Sequence, residues 1–123
     1  MIQGIVNANF EAVVPLRLRG PSGVESNADA IVDSGFTSSL TLPTTTIAAL
    51  GLVRRSAGFA VLADGSSRQF DMFDAEVAWG GTWRPVLVSA VGDESLIGML
   101  LLAGHKLVVE VVPSGSVQII PLP

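Results

Sequence analysis

The chain contains no cysteine. Disulfides, a thiolate nucleophile and thiolate metal sites are therefore excluded outright. It has a single histidine, His105, so a Ser-His-Asp triad or a multi-histidine metal centre is hard to build within one copy. Charged residues make up only 15% of the sequence, with a formal net charge of -4. The nearest thing to a basic cluster is Arg54-Arg55, which leaves no electrostatic footprint for nucleic acid. The longest apolar run, Leu96 to Gly104, falls far short of the ~20 residues a membrane-spanning helix needs. The start, Met1-Ile2-Gln3-Gly4, lacks the basic and apolar regions of a signal peptide. These absences lead to the expectation of a soluble, cytoplasmic protein without membrane or nucleic-acid partners, and without metal or other cofactor.

What remains is a 123-residue chain that is 49% hydrophobic and punctuated by 13 Gly and 7 Pro. That length matches one domain, residues 1–123, and the punctuation suits many short strands joined by turns. Phe10 to Arg19 alternates around Val14, Leu16 and Leu18, and Gly20-Pro21-Ser22-Gly23 turns the chain. Asn27 to Val32 reads as a strand leading into Asp33, and Ser39 to Leu42 as a short one. Pro43 opens the one clear helix, 43–50, with Thr44-Thr45-Thr46 as N-terminal caps and Gly51 as its stop. Gly58 to Ala63 and Ser66 to Phe73 flank Asp64-Gly65, a strong hairpin signal. Ala75-Val77-Trp79 and Trp83 to Ser89 form a second hairpin around Gly80-Gly81. After Leu96-Ile97-Gly98-Met99 comes an apolar stretch of one or two helical turns. Lys106 to Val112 and Ser116 to Ile120 pair around Pro113-Ser114-Gly115. The pattern is that of a mostly antiparallel sandwich or small closed barrel.

Chemistry concentrates at Asp33-Ser34-Gly35. The carboxylate follows the apolar run Ala30-Ile31-Val32, so it emerges from buried, rigid strand. Ser34 offers a hydroxyl that braces the loop, and Gly35 permits a tight turn and close backbone approach. Peptide hydrolysis needs water activated on one side and the carbonyl oxygen or leaving amine protonated on the other. Two carboxylates sharing one proton do both, because like charges a few Å apart cannot both ionise. Of the other aspartates (Asp29, Asp64, Asp71, Asp74 and Asp93), none precedes Ser-Gly or Thr-Gly. The chain carries half a dyad, and two-fold dimerisation would supply the rest.

Ala30-Ile31-Val32-Asp33-Ser34-Gly35-Phe36-Thr37, then Leu62-Ala63-Asp64-Gly65-Ser66, then Leu96-Ile97-Gly98-Met99, stand in an order that resembles the retropepsin-like aspartic proteases, most of all the short single-domain bacterial members. The opening Met1 to Asn7 resembles starts seen in that group. The resemblance implies an all-β fold with one short helix, an acid-protease half-barrel closed by homodimerisation. It implies Asp33, Ser34 and Gly35 as the catalytic loop and Ala63, Asp64, Gly65 and Ser66 as the tip of a substrate-covering flap. It further implies Leu96, Ile97 and Gly98 as structural support beneath that loop, and a peptide or protein substrate. Phe59, Val61, Leu62, Phe70 and Met72 become candidate substrate contacts. The chain departs from the family in three ways. Ser34 stands where Thr is commoner in retroviral members, the helix at 43–50 is not a feature of the smallest viral ones, and Ile119-Ile120-Pro121-Leu122-Pro123 is Pro-rich. A dimer sheet built from that end is expected to pair differently or stop early, because Pro removes backbone donors.

Simpler readings stand beside these. Asp33 before Gly is also a common turn residue, Asp64-Gly65 an ordinary hairpin tip, and His105 a solvated or core side chain. Glu11, Asp71, Asp74 and Glu76 read as solvated strand faces, Trp79 and Trp83 as cover for a hairpin, and Arg54-Arg55 as neighbours of the helix C-terminus. Two other functions compete: a catalytically silent retropepsin-like fold serving as a binding or dimerisation module, and a small-ligand β-barrel in which the Asp33 motif is coincidence.

Overall fold

The computed structural model of the chain describes residues 1–61 and 63–123; Leu62, expected in the flap, lies outside them. Among the described residues, ten strands and two short helices follow in the order β1 (Ile2–Val6), β2 (Ala12–Arg19), β3 (Glu25–Val32), β4 (Leu40–Thr41), α1 (Thr44–Ala49), β5 (Arg54–Val61), β6 (Ser67–Trp79), β7 (Thr82–Ser89), β8 (Leu96–Ile97), α2 (Met99–Leu102), β9 (His105–Val109) and β10 (Ser116–Pro121). They form one sheet in the order β5-β6-β7-β4-β8-β3-β2-β1-β10-β9. Pairing of β2 with β6, at Leu18↔Val77 and Arg19↔Glu76, joins β2, β3, β8, β4, β7 and β6 into a six-stranded barrel.

Period-two alternation builds the barrel interior. Val14, Leu16 and Leu18 point inward from β2 and meet Val77 and Trp79 of β6, Val86 and Val88 of β7, Leu40 of β4 and Ile97 of β8. Each large aliphatic side chain removed from water contributes about 1.5–3 kcal/mol, which favours this register over a one-residue slip that would turn the apolar face outward. Trp83 lies on the outer face, where Arg19 stacks on its ring at 4.2 Å and Arg17 at 5.3 Å. The two tryptophans thus cover opposite faces of the hairpin.

The two expected hairpins around Asp64-Gly65 and Gly80-Gly81 share a single 13-residue strand, β6. Its inward phase changes partway. Phe70 and Met72 are half-buried in the first half, while Phe73, Ala75, Val77 and Trp79 face the core in the second. The slip coincides with an irregularity in the paired strand between Arg54 and Ser56. One strand therefore serves the β5–β6 hairpin first and the barrel afterwards, and a fixed-period reading divides it in two.

Helix α1 falls where expected but starts without a side-chain cap: Pro43 holds the N-cap position in extended conformation, and the three threonines lie within the helix. Its end is a Schellman motif. Gly51, at φ +64, donates to the Ala48 carbonyl at 3.0 Å, and Leu52 to that of Ile47 at 3.2 Å. Arg54 and Arg55 open β5 and pair across the strand with Asp71 and Asp74 at 2.7 and 2.9 Å, so they do not serve the helix terminus. The Pro-rich end does not stop the last strand early: β10 runs to Pro121 and pairs within the chain with both β1 and β9. Among the described residues, no helix is long and apolar enough to cross a membrane.

Candidate active site

Three crossing backbone segments hold Asp33 in place. Strand β3 pairs parallel to β8 (Ile31↔Leu96, Val32↔Ile97), and β8 pairs antiparallel to β4 (Leu40↔Ile97, Thr41↔Leu96). The Asp33 amide donates to the Ile97 carbonyl at 2.9 Å, so the residue leaves the sheet from a fixed point. The chain then turns at once, the Phe36 amide donating to the Asp33 carbonyl at 3.1 Å. The Gly35 amide donates to Asp33 Oδ1 at 3.0 Å. A β-carbon on Gly35 would lie 3.3 Å from the same oxygen. Gly35 contributes close approach to the carboxylate; its φ is not in the left-handed region.

Leu96, Ile97 and Gly98 lie beneath this loop. Ile97 is fully buried. Gly98 donates to the Ser39 carbonyl at 2.9 Å, Met99 to Phe36 at 2.8 Å and Leu100 to Ser38 at 3.2 Å. The first turn of α2 is thus stitched to residues 36–39. Thr41, which no sequence pattern singles out, is buried and acts as a rivet: its hydroxyl donates to the Glu94 carbonyl and accepts the Leu96 amide, both at 3.0 Å. A threonine in a two-residue strand carries no pattern by which it could have been singled out.

A cleft of about 460 Å³ opens between Asp33 and the β5–β6 hairpin. Its walls are mainly apolar, from Phe36, Phe59, Phe70, Met72, Val91 and Leu96, with the hydroxyls of Thr37, Ser38, Thr41 and Ser89 among them. Among the described residues of the lining, Asp33 is the one that carries a charge. Three expected substrate contacts, Phe59, Phe70 and Met72, line it; Val61 is exposed and does not. Gly58 lets the hairpin stay thin, since a β-carbon there would meet the Phe70 ring at 2.6 Å. Phe36, Val91 and Leu96 are lining residues that sequence reading did not single out as contacts, although Phe36 directly follows Asp33-Ser34-Gly35.

The hairpin tip holds its own turn. Gly65 adopts φ +85, and Asp64 Oδ1 accepts the Ser66 amide at 2.9 Å and the Ser66 hydroxyl at 2.5 Å. The Ser66 hydroxyl, and after it the Ser66 amide, hold the Asp64 carboxyl below its ordinary value. Ala63, Asp64, Gly65 and Ser66 are all exposed. Ser34 is exposed too, and its hydroxyl makes no hydrogen bond with the described residues of its own chain. The loop brace expected of it is therefore not formed within one copy. Among the described residues, no group of three or more His, Asp or Glu side chains is placed to hold a metal ion. His105 packs edge-on to Trp79, with ring centroids 5.8 Å apart.

No protein-family model matches the chain, and no curated protein sequence does. Solved structures match in shape. A retropepsin-like aspartic protease from Rickettsia conorii superimposes with a TM-score of 0.59 at 15% identity, covering 96% of this chain and 87% of that one. EIAV protease complexed with the inhibitor HBY-793 gives a TM-score of 0.51 at 15% identity, over 78% of this chain and 88% of that one. The fold is retropepsin-like, as the order of motifs in the sequence implied.

Proposed function

We propose that residues 1–123 act as one domain of a homodimeric aspartic endopeptidase of the cytoplasm, with Asp33 and its copy in a second chain as the catalytic dyad. The observation that carries this reading is the position of Asp33: a lone carboxylate, tied through its amide to Ile97, at the wall of an apolar cleft under a hairpin. Nothing else in that lining can take or give a proton at moderate pH, so the second carboxylate comes from another copy.

One Asp33 takes a proton from water as that water attacks the scissile carbonyl carbon. The other, protonated, gives its proton to the carbonyl oxygen. The tetrahedral species then collapses with protonation of the leaving amine, and no acyl-enzyme forms. The Gly35 amide holds the Asp33 carboxylate, Ser34 braces the loop across the dimer against its copy, Leu96 to Gly98 support it, and Ala63 to Ser66 cap the bound peptide. The mainly apolar walls suit a peptide segment with apolar side chains flanking the cut.

Replacement of Asp33 by Asn tests this reading. Asn keeps an oxygen for the Gly35 amide, so folding stability should change by no more than about 0.5 kcal/mol. Peptide cleavage should fall by at least about 1,000-fold. An Asp33→Asn protein that cuts a peptide library as fast as the parent sinks the proposal. A parent that is a proven dimer yet cuts nothing between pH 3 and 8 would favour the silent binding fold instead.

A further inference from the structure

A ten-stranded sheet with one closure leaves two outer edges, β5 and β9. Exposed edges invite pairing with another chain unless charge, proline or a bulge blunts them. Strand β5 has such devices: Arg54 and Arg55 at its start, and a register irregularity between Arg54 and Ser56. Strand β9, His-Lys-Leu-Val-Val, has no proline, and its register with β10 is unbroken from His105 to Val109.

Hydrogen-bond parity fixes what β9 offers. The Glu110 amide donates to the Ser116 carbonyl, and the Leu122 amide to that of Gly104, both at 2.9 Å. Even-numbered residues therefore turn their backbone groups toward β10. His105, Leu107 and Val109 turn theirs outward, to the free edge. The side chains of Leu107 and Val109 share a face with the buried Ile119 and Val117 opposite them, yet Leu107 remains 37% exposed. An apolar side chain and a row of backbone donors and acceptors thus end abruptly at one edge.

We infer that this edge pairs with β9 of a second copy, antiparallel, about a two-fold axis through Val108. In that register Leu107 faces Val109 of the second copy and Val109 faces its Leu107, each pair exchanging both backbone hydrogen bonds. Val108 opposes itself in a non-hydrogen-bonded pair. Lys106 then opposes Glu110 of the second copy, twice over. The strand is self-complementary in charge, as an isologous contact requires. The single lysine that would repel a foreign strand selects a register instead. The edge also connects, through α2, to the segment that follows Asp33. Only Ala103 and Gly104 separate it from α2, whose Met99 and Leu100 are exposed and whose backbone is bonded to Phe36 and Ser38. This interface deepens the homodimer reading above and rests on it for the link to cleavage.

The absence of native cysteine makes the test clean. Under mild oxidation, Val108→Cys should give a covalent dimer, because Cα atoms in a non-hydrogen-bonded pair lie about 4.5 Å apart, within disulfide range. Lys106→Cys and Glu110→Cys should each stay monomeric on the same gel, since each opposes a different residue. In sedimentation, Lys106→Glu and Glu110→Lys should each weaken the dimer by about tenfold, and the double exchange should restore it. A chain that is monomeric at every concentration and gives no Val108→Cys cross-link overturns the inference. So does a dimer indifferent to both charge reversals; if it still cleaves in an Asp33-dependent manner, the proposed function survives without this interface. A cross-linked, charge-sensitive dimer that cleaves nothing supports the interface while removing the catalytic reading.

Discussion

A β-carbon on Gly98 would lie 2.0 Å from the carbonyl oxygen of Ser38 and 2.6 Å from the ring of Phe36. The first neighbour is backbone, and that backbone is pinned by the Leu100 amide on the Ser38 carbonyl. It cannot yield without moving the segment that follows Asp33. Gly98→Ala should destabilise the fold by about 3 kcal/mol, the upper end for overpacking in a well-packed site. Urea unfolding of the variant measures this. A loss below about 1 kcal/mol would mean that the loop and α2 are less tightly joined than this contact implies.

Thr41 carries a comparable load by different means. Its hydroxyl is one node for two backbone groups, the Glu94 carbonyl and the Leu96 amide. Valine keeps the shape and removes both bonds. Leaving buried backbone groups without partners costs about 1–3 kcal/mol each, so Thr41→Val should lose about 2–6 kcal/mol. Thr41→Ser, which retains the hydroxyl, should recover most of that. Paired denaturant curves for the two variants separate hydrogen bonding from loss of the methyl group.

The barrel was legible because its strands obey period two and its turns carry Asp-Gly, Gly-Gly or Pro-Ser-Gly. Asp33, Gly35, Ile97 and Gly98 were legible because a carboxylate at the end of an apolar run, and a glycine after another, are unusual in combination. The continuity of β6 was hidden: its inward phase changes between Met72 and Phe73, and a strand that changes face resembles two strands. Thr41 was hidden because its role depends on two partners more than 50 residues away. The intramolecular pairing of β1 with β10 was hidden for the same reason, since edge assignment depends on the whole sheet order and not on either strand's composition.

Cleavage by a shared-proton dyad fixes the form of the pH profile. One carboxylate must be ionised to take the water proton, and the other protonated to donate. The active form therefore exists only between the two apparent pKa values of the pair. A plot of kcat/KM against pH should be bell-shaped with its maximum on the acidic side. A profile that rises to a plateau and stays there through pH 8 would point to a single base and remove the dyad.

The tip of the β5–β6 hairpin should have its own acid limit. The Ser66 hydroxyl and amide hold the Asp64 carboxyl below its ordinary value of 3.8. A carboxylate whose folded pKa is depressed contributes order that is fully present above the unfolded value, and loses it as pH falls through the folded one. The turn at Asp64-Gly65-Ser66 should therefore stay ordered at pH 5 and loosen progressively below about 3.8. The carboxylate is fully exposed, so the effect is local to the tip and leaves the barrel unchanged. Hydrogen exchange at the Ser66 amide reads it directly: protection should fall with acid beyond the intrinsic pH dependence of exchange, while the Asp33 amide, donating to Ile97 inside the sheet, keeps its protection. Asp64→Asn retains an acceptor without the charge and should flatten the acid dependence at Ser66. An Asp64→Asn protein whose Ser66 amide shows the same acid dependence as the parent would assign the loosening to another group.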